Sequence, residues 1–173
     1  GGFFMRRFTT RDLTLAALIA AVYAALTMLL PAYGEIQLRV SEAMTVLPFL
    51  FPAAIPGLAV GCFIVNLFSP YPLDILFGTL ATLLACLMTR HMPNRWLAPL
   101  PPVLCNALIV GAEIAWYATG FGPGFWTAYA FNIVTVGLAE LIACFVLGEL
   151  LLTVLPRVPV LRPYIPEQRL AHL

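Results

Sequence analysis

Four of the eight acidic residues, Asp74, Glu113, Glu140 and Glu149, stand inside or beside long apolar runs. A carboxylate in such a run is costly, so it usually faces a cavity or a partner. Cations are scarce there: no Lys or Arg lies between residues 40 and 89 or between 96 and 156. Asn66, Asn106 and Asn132 share the same runs, and Arg39 and Glu42 flank one of them. Carboxylates and amides with almost no cations make an acceptor-rich hollow. It would suit a small ligand that is rich in N–H donors or is itself cationic. Trp116, Tyr117 and Trp126 offer faces on which a flat ring can stack. Helical spacing puts Asn106 two turns below Glu113 on one face, with Trp116 and Tyr117 one turn above. Arg39, Glu42, Asn66, Asp74, Asn106, Glu113, Trp116, Tyr117, Trp126, Asn132 and Glu140 are therefore the candidate ligand-binding residues.

Each has a plainer alternative. Glu42 and Asp74 can cap helix starts, and the three asparagines can be hydrogen-bond glue between helices. Trp126 and Tyr129 can belong to an interfacial aromatic belt. Glu149 reads as structural. No P-loop, HExxH or GxSxG motif is present, and His91 and His172 are not at ligand spacing, so neither a metal site nor an enzyme is expected. Without a P-loop the chain cannot use ATP itself. Cys62, Cys86, Cys105 and Cys144 are embedded singly in apolar runs and read as reduced packing residues. A net charge of +1 gives no reason to expect a nucleic-acid partner.

The elements that position these residues follow from composition. The 173 residues are 62% hydrophobic and 10% charged, with a mean hydropathy of +0.96. A globule of this size cannot hide so much apolar surface, so lipid must cover it. Residues 1–4 precede Met5 and read as an expression remnant, and residues 5–156 as one membrane domain. The first apolar run is too long for a signal peptide, lacks a clear cleavage site, and is followed by further spans. Helices are predicted over about 10–30, 42–52, 54–69, 73–89, 102–119 and 126–155, with Thr10 or Asp12 capping the first. The stretch 43–69 is ambiguous, because Pro52, Pro56 and Gly57 leave either one kinked span or two short helices. Arginine placement decides between them. Arg6, Arg7 and Arg11, then Arg90 and Arg95, then Arg157, Arg162 and Arg169 should all be cytoplasmic. An even number of crossings must then separate Arg11 from Arg90. The expectation is an all-α membrane protein with six transmembrane helices and both termini cytoplasmic, residues 157–173 forming a cytoplasmic tail. Loops 35–42, 70–74 and 120–125 would face outward as a lid.

The first helix carries small residues at four-residue steps on two adjoining lines, Ala16, Ala20, Ala24 and Ala17, Ala21, Ala25. Such lines let another helix approach closely, either within the chain or from a partner.

Two strings are long and unusual. One runs Ile36-Gln37-Leu38-Arg39-Val40-Ser41-Glu42-Ala43-Met44-Thr45-Val46-Leu47-Pro48-Phe49-Leu50-Phe51-Pro52 and continues as Ala54-Ile55-Pro56-Gly57-Leu58; the other is Asp74-Ile75-Leu76-Phe77-Gly78-Thr79-Leu80-Ala81-Thr82-Leu83. They resemble the QueT family, over nearly the whole chain after Met5. The resemblance implies the six-helix fold of the substrate-binding (S) components of energy-coupling factor (ECF) transporters. It also implies a transmembrane coupling protein and two ABC ATPases as partners, docking by way of the first-helix alanines. It implies queuosine precursors or related 7-deazaguanines as substrate, whose N–H edge suits paired acceptors. A stand-alone proton-coupled transporter is the alternative, with the buried acids as relay. A membrane-embedded enzyme or purely structural subunit has no supporting motif.

Overall fold

A computed structural model describes residues 8–29, 40–171 and 173. Arg39, Glu35 and His172 lie outside the described residues. The described elements are all helical.

Helix α1 (Thr10–Leu29) starts from Thr9 rather than Thr10. The Thr9 backbone N–H donates to the Asp12 carboxylate at 3.1 Å, and the Asp12 N–H donates back to the Thr9 hydroxyl at 3.2 Å. This reciprocal pair satisfies amides that have no partner inside the helix.

The stretch 43–69 resolves into two helices, α2 (Val40–Phe49) and α3 (Ala54–Asn66), joined by a tight turn. The Leu50 and Phe51 N–H groups both return to the Leu47 carbonyl, at 2.9 and 2.8 Å. Helix α2 is a 3₁₀ helix of 10 residues, far longer than the usual one-turn piece. It is buried from Ser41 to Phe49, so neighbours on every side hold the tighter winding.

Helix α4 (Pro72–Arg90) opens with a 3₁₀ turn, Pro72–Ile75, in which Asp74 sits. Helix α5 (Leu100–Thr119) contains a π-helical stretch, Asn106–Val110. Helix α6 (Phe125–Arg157) contains another, Ile142–Gly148. Gly120 (φ 61°) ends α5 and Gly124 (φ 92°) begins α6, both in conformations that residues with a Cβ rarely adopt.

By length and composition α1, α4, α5 and α6 can each cross a membrane. Helices α2 and α3, at 10 and 13 residues, are apolar but shorter. At 1.5–2.0 Å per residue each reaches only about 20 Å, against a hydrocarbon core of about 30 Å. The protein is thus an all-α membrane protein with four span-length helices among its described residues.

The core packs Tyr23 of α1 with Val46, Phe49, Leu50 and Phe51 around α2, Leu58 and Val65 of α3, and Leu152 of α6. Helices α1 and α3 approach closely at Gly57 and Gly61. A Cβ at Gly57 would lie 2.7 Å from the Ala16 carbonyl oxygen, and one at Gly61 would lie 3.0 Å from that of Ala20. The small-residue line Ala16–Ala20 therefore packs inside the chain against a G-x-x-x-G step. Ala24 is half-buried, while Ala17, Ala21 and Ala25 are exposed.

After α6 the chain folds back, burying Ile165. The Arg169 guanidinium donates to the carbonyls of Met92, at 2.8 Å, and of Arg90, and lies 4.3 Å over the Phe49 ring. Burial lowers the Arg169 pKa from the ordinary arginine value. Arg95 donates to Glu149 Oε2 at 3.0 Å and to the Thr153 hydroxyl at 2.5 Å. The loop between α4 and α5, the end of α6 and the tail thus meet at one end of the bundle.

Candidate functional site

Five sequence-nominated residues from five helices line one hollow: Glu42 of α2, Asn66 of α3, Asp74 of α4, Asn106 of α5 and Glu140 of α6. Each is buried, at 6% exposure or less. Gly78, Thr82, Val110 and Val136 complete the wall.

Local sequence explains each placement. On α4, Asp74, Gly78 and Thr82 follow at four-residue steps and share a face. Asn106 opens the π stretch of α5, and Glu140 stands two residues before that of α6. π turns recur at functional sites because they re-aim neighbouring side chains. Gly78 is required for close approach: a Cβ there would lie 2.8 Å from Asn66 Nδ2.

The polar groups are braced by the protein. The Tyr23 hydroxyl donates to Glu42 Oε1 at 2.6 Å, and Asn106 Nδ2 stands 3.5 Å from Glu42 Oε2. The Thr45 hydroxyl donates to the Glu42 carbonyl at 2.5 Å. The Cys144 thiol lies 3.5 Å from Glu140 Oε2 and 3.5 Å from the Glu42 carbonyl. Asn66 Nδ2 donates to the Asp74 carbonyl at 2.8 Å, and the Ser69 hydroxyl donates to Asp74 Oδ2 at 2.5 Å. Asn66 Oδ1 is buried with no hydrogen-bond partner among the described residues. A buried acceptor in that condition costs about 1–3 kcal/mol, so it favours any arriving donor. The hollow is narrow: about 10 Å³, room for one water.

The other nominated residues sit elsewhere. Glu113 is 6% exposed and, with Trp116, lines a separate groove of about 510 Å³ walled by Leu73, Phe77, Phe121 and Phe125. The π stretch 106–110 lies between Asn106 and Glu113; its wider turn shifts the helical register, so Glu113 leaves the Asn106 face. Tyr117 accepts the Leu73 N–H at 2.8 Å and packs its ring 5.0 Å from Tyr71. Asn132 Nδ2 lies 3.4 Å from the Gly111 carbonyl, bracketing α6 to α5. Trp126 is 76% exposed beside Phe125 and Tyr129.

Sequence reasoning did not nominate Tyr23, Thr45, Gly78, Thr82 or Cys144. A signal existed for three of them: Gly78 and Thr82 lie one and two turns after Asp74, and Cys144 lies four residues after Glu140. Tyr23 and Thr45 reach the site only through packing.

A helical bundle that buries carboxylates and amides around a central hollow, under a surface made for lipid, defines a multi-pass membrane protein. The QueT transporter family matches residues 13–157. The chain belongs to that family. That family is described as one of transporters, and the span-length apolar helices make this chain a multi-pass cell-membrane protein. The chain is similar to the Queuosine precursor transporter QueT of Lactococcus lactis subsp. cremoris (strain MG1363), with 36% identity over 83 residues, 46% of this chain and 49% of that protein. The aligned stretch thus spans about half the length of that relative. No solved structure matches the chain.

Proposed function

We propose that this chain is the S component of an ECF importer that takes up queuosine precursors or related 7-deazaguanine bases or nucleosides. The observation that carries this reading is the convergence of Glu42, Asn66, Asp74, Asn106 and Glu140, from five helices, on one buried hollow. A guanine-type edge presents N–H donors that a carboxylate can accept in pairs. Asn66 Oδ1 adds a further acceptor at the same wall.

In this reading α2 and α3 complete six crossings, both ends face the cytoplasm, and Arg39 belongs to the outer mouth. Arg95 bonding to the end of α6, and Arg169 of the tail bonding to the Met92 and Arg90 carbonyls, support one shared side for the 90–95 loop and the tail. A hollow of about 10 Å³ cannot admit a base, so binding has to open it. The stretch 69–74, which leads into the 3₁₀ start of α4 and is held by Ser69, Asn66 and Tyr117, is the piece that would open. A coupling protein and two ABC ATPases would supply the energy. Of the six nominated α1 alanines, Ala17, Ala21 and Ala25 are the exposed ones and would meet the coupling protein.

The test is mass spectrometry of small molecules that co-purify with the protein, followed by titration with 7-deazaguanines and ordinary purines. A deazaguanine recovered and bound in preference to guanine is the expected result. Binding only of anions such as carboxylates or phosphates would end this reading. Uptake by the chain alone in proteoliposomes, driven by a pH gradient, would replace it with the proton-coupled alternative.

A further inference from the structure

A second hollow lies at the arginine-rich end, away from the aromatic residues 116–129. It measures about 280 Å³ and is lined by Arg95, Arg157 and Arg162 together with Leu152, Pro156 and Leu170. That is near the low end of the size range of small-ligand sites. The three arginines are in different states. Arg95 is committed to Glu149 and Thr153. Arg157 and Arg162 are exposed and have no carboxylate partner among the described residues.

We propose that this hollow holds the phosphodiester headgroup of an anionic phospholipid. Three features point to a lipid. The span-length helix α6 carries no Lys or Arg until it ends at Arg157, and a basic end after such an apolar run favours the membrane boundary. Trp96, 64% exposed and 5.1 Å from the Arg95 guanidinium, marks the headgroup level where amphipathic rings settle. The lining combines planar donor forks, which match phosphate oxygens in pairs, with aliphatic surface that suits the carbons beyond them. A wholly apolar groove of about 380 Å³ also reaches this end of α6, bordered by Leu150, Leu151, Leu155 and Leu161. It gives an acyl chain a surface beside the arginines. Free inorganic phosphate shares the headgroup's charge and oxygens, but it gains nothing from the aliphatic half of the lining.

The experiment uses the full chain purified in neutral detergent. Retention of phosphatidylglycerol and of phosphatidylcholine is compared by native mass spectrometry, and thermal unfolding is followed with each lipid and with inorganic phosphate. Phosphatidylglycerol should be the lipid retained and the one that raises the unfolding temperature. Arg157→Gln and Arg162→Gln should each cut that preference about fivefold, and the double variant about twenty-five-fold. Arg→Lys at the same positions should keep part of it. Equal retention of the two lipids, or an unchanged preference in a double variant that still folds by circular dichroism, overturns the proposal. So does stabilisation by inorganic phosphate equal to that by phosphatidylglycerol, which would make this a free-anion site. Deazaguanine titration of the same variant should be unchanged, which separates this outcome from the substrate reading.

Discussion

Glu140 and Glu113 are two carboxylates buried almost equally, at 4% and 6% exposure, in neighbouring span-length helices. Their surroundings differ. Glu140 shares a hollow with Glu42, Asn66, Asp74, Asn106 and Thr82, and the Cys144 thiol lies beside it. Glu113 lies in the wall of a groove that is otherwise leucine, isoleucine, alanine and aromatic rings. Burial of an acid inside an apolar helix is therefore a weak guide to a binding site. Convergence of polar groups from several helices is a stronger one, because each helix bears a separate desolvation cost that a shared guest can offset.

The largest effect is expected from Glu140→Gln. The change keeps shape and removes charge, so a charge-assisted hydrogen bond worth about 1.5–3 kcal/mol is lost. Deazaguanine affinity measured by calorimetry should fall by about ten- to a hundredfold. Unchanged affinity would remove Glu140 from the site. Glu42 is a less clean probe, because its Oε1 also accepts the Tyr23 hydroxyl in the core.

A smaller loss is expected from Gly78→Ala. The added methyl would stand 2.8 Å from Asn66 Nδ2 and displace an amide that donates to the Asp74 carbonyl at 2.8 Å. Losing that bond costs about 1 kcal/mol, so affinity should drop about fivefold while the protein still folds. Full affinity would show that Asn66 does not need its observed position for binding.

The sequence made some of this contrast legible. Helices α1, α4, α5 and α6 start and stop within a few residues of the bounds expected from apolar runs and Gly/Pro punctuation. Counting crossings between arginines predicted a break near 53; the helices break at 50–53, and the two pieces are shorter than a span. Asp74, Asn66 and Glu140 could be nominated because polar residues in apolar runs stand out individually. The winding of the backbone was not visible. The 3₁₀ course of Val40–Phe49 and the π turns at Asn106–Val110 and Ile142–Gly148 depend on which carbonyl each amide meets once neighbours are packed. Ordinary α spacing put Asn106 and Glu113 on one face, and the π turn between them separated them. The line Ala16–Ala20 was visible as a contact surface, but only the placement of Gly57 and Gly61 against it shows that its partner is α3.

The smallest effect, and the sharpest use of the comparison, is expected from Glu113→Gln. If the ligand sits among the five convergent polar residues, Glu113 is one helical face away, and neutralising it changes only a weak, indirect field. Affinity should shift less than about threefold, under about 0.7 kcal/mol. The informative quantity is the ratio of the two glutamine variants measured side by side. A loss in Glu113→Gln as large as in Glu140→Gln would mean that the groove and the hollow act as one site in the open protein. The 69–74 turn, tied to α5 through the Tyr117 hydroxyl, would then be the barrier between them. Tyr117→Phe would remove that tie without changing the ring, and in that case it should increase the rate of ligand entry more than the affinity.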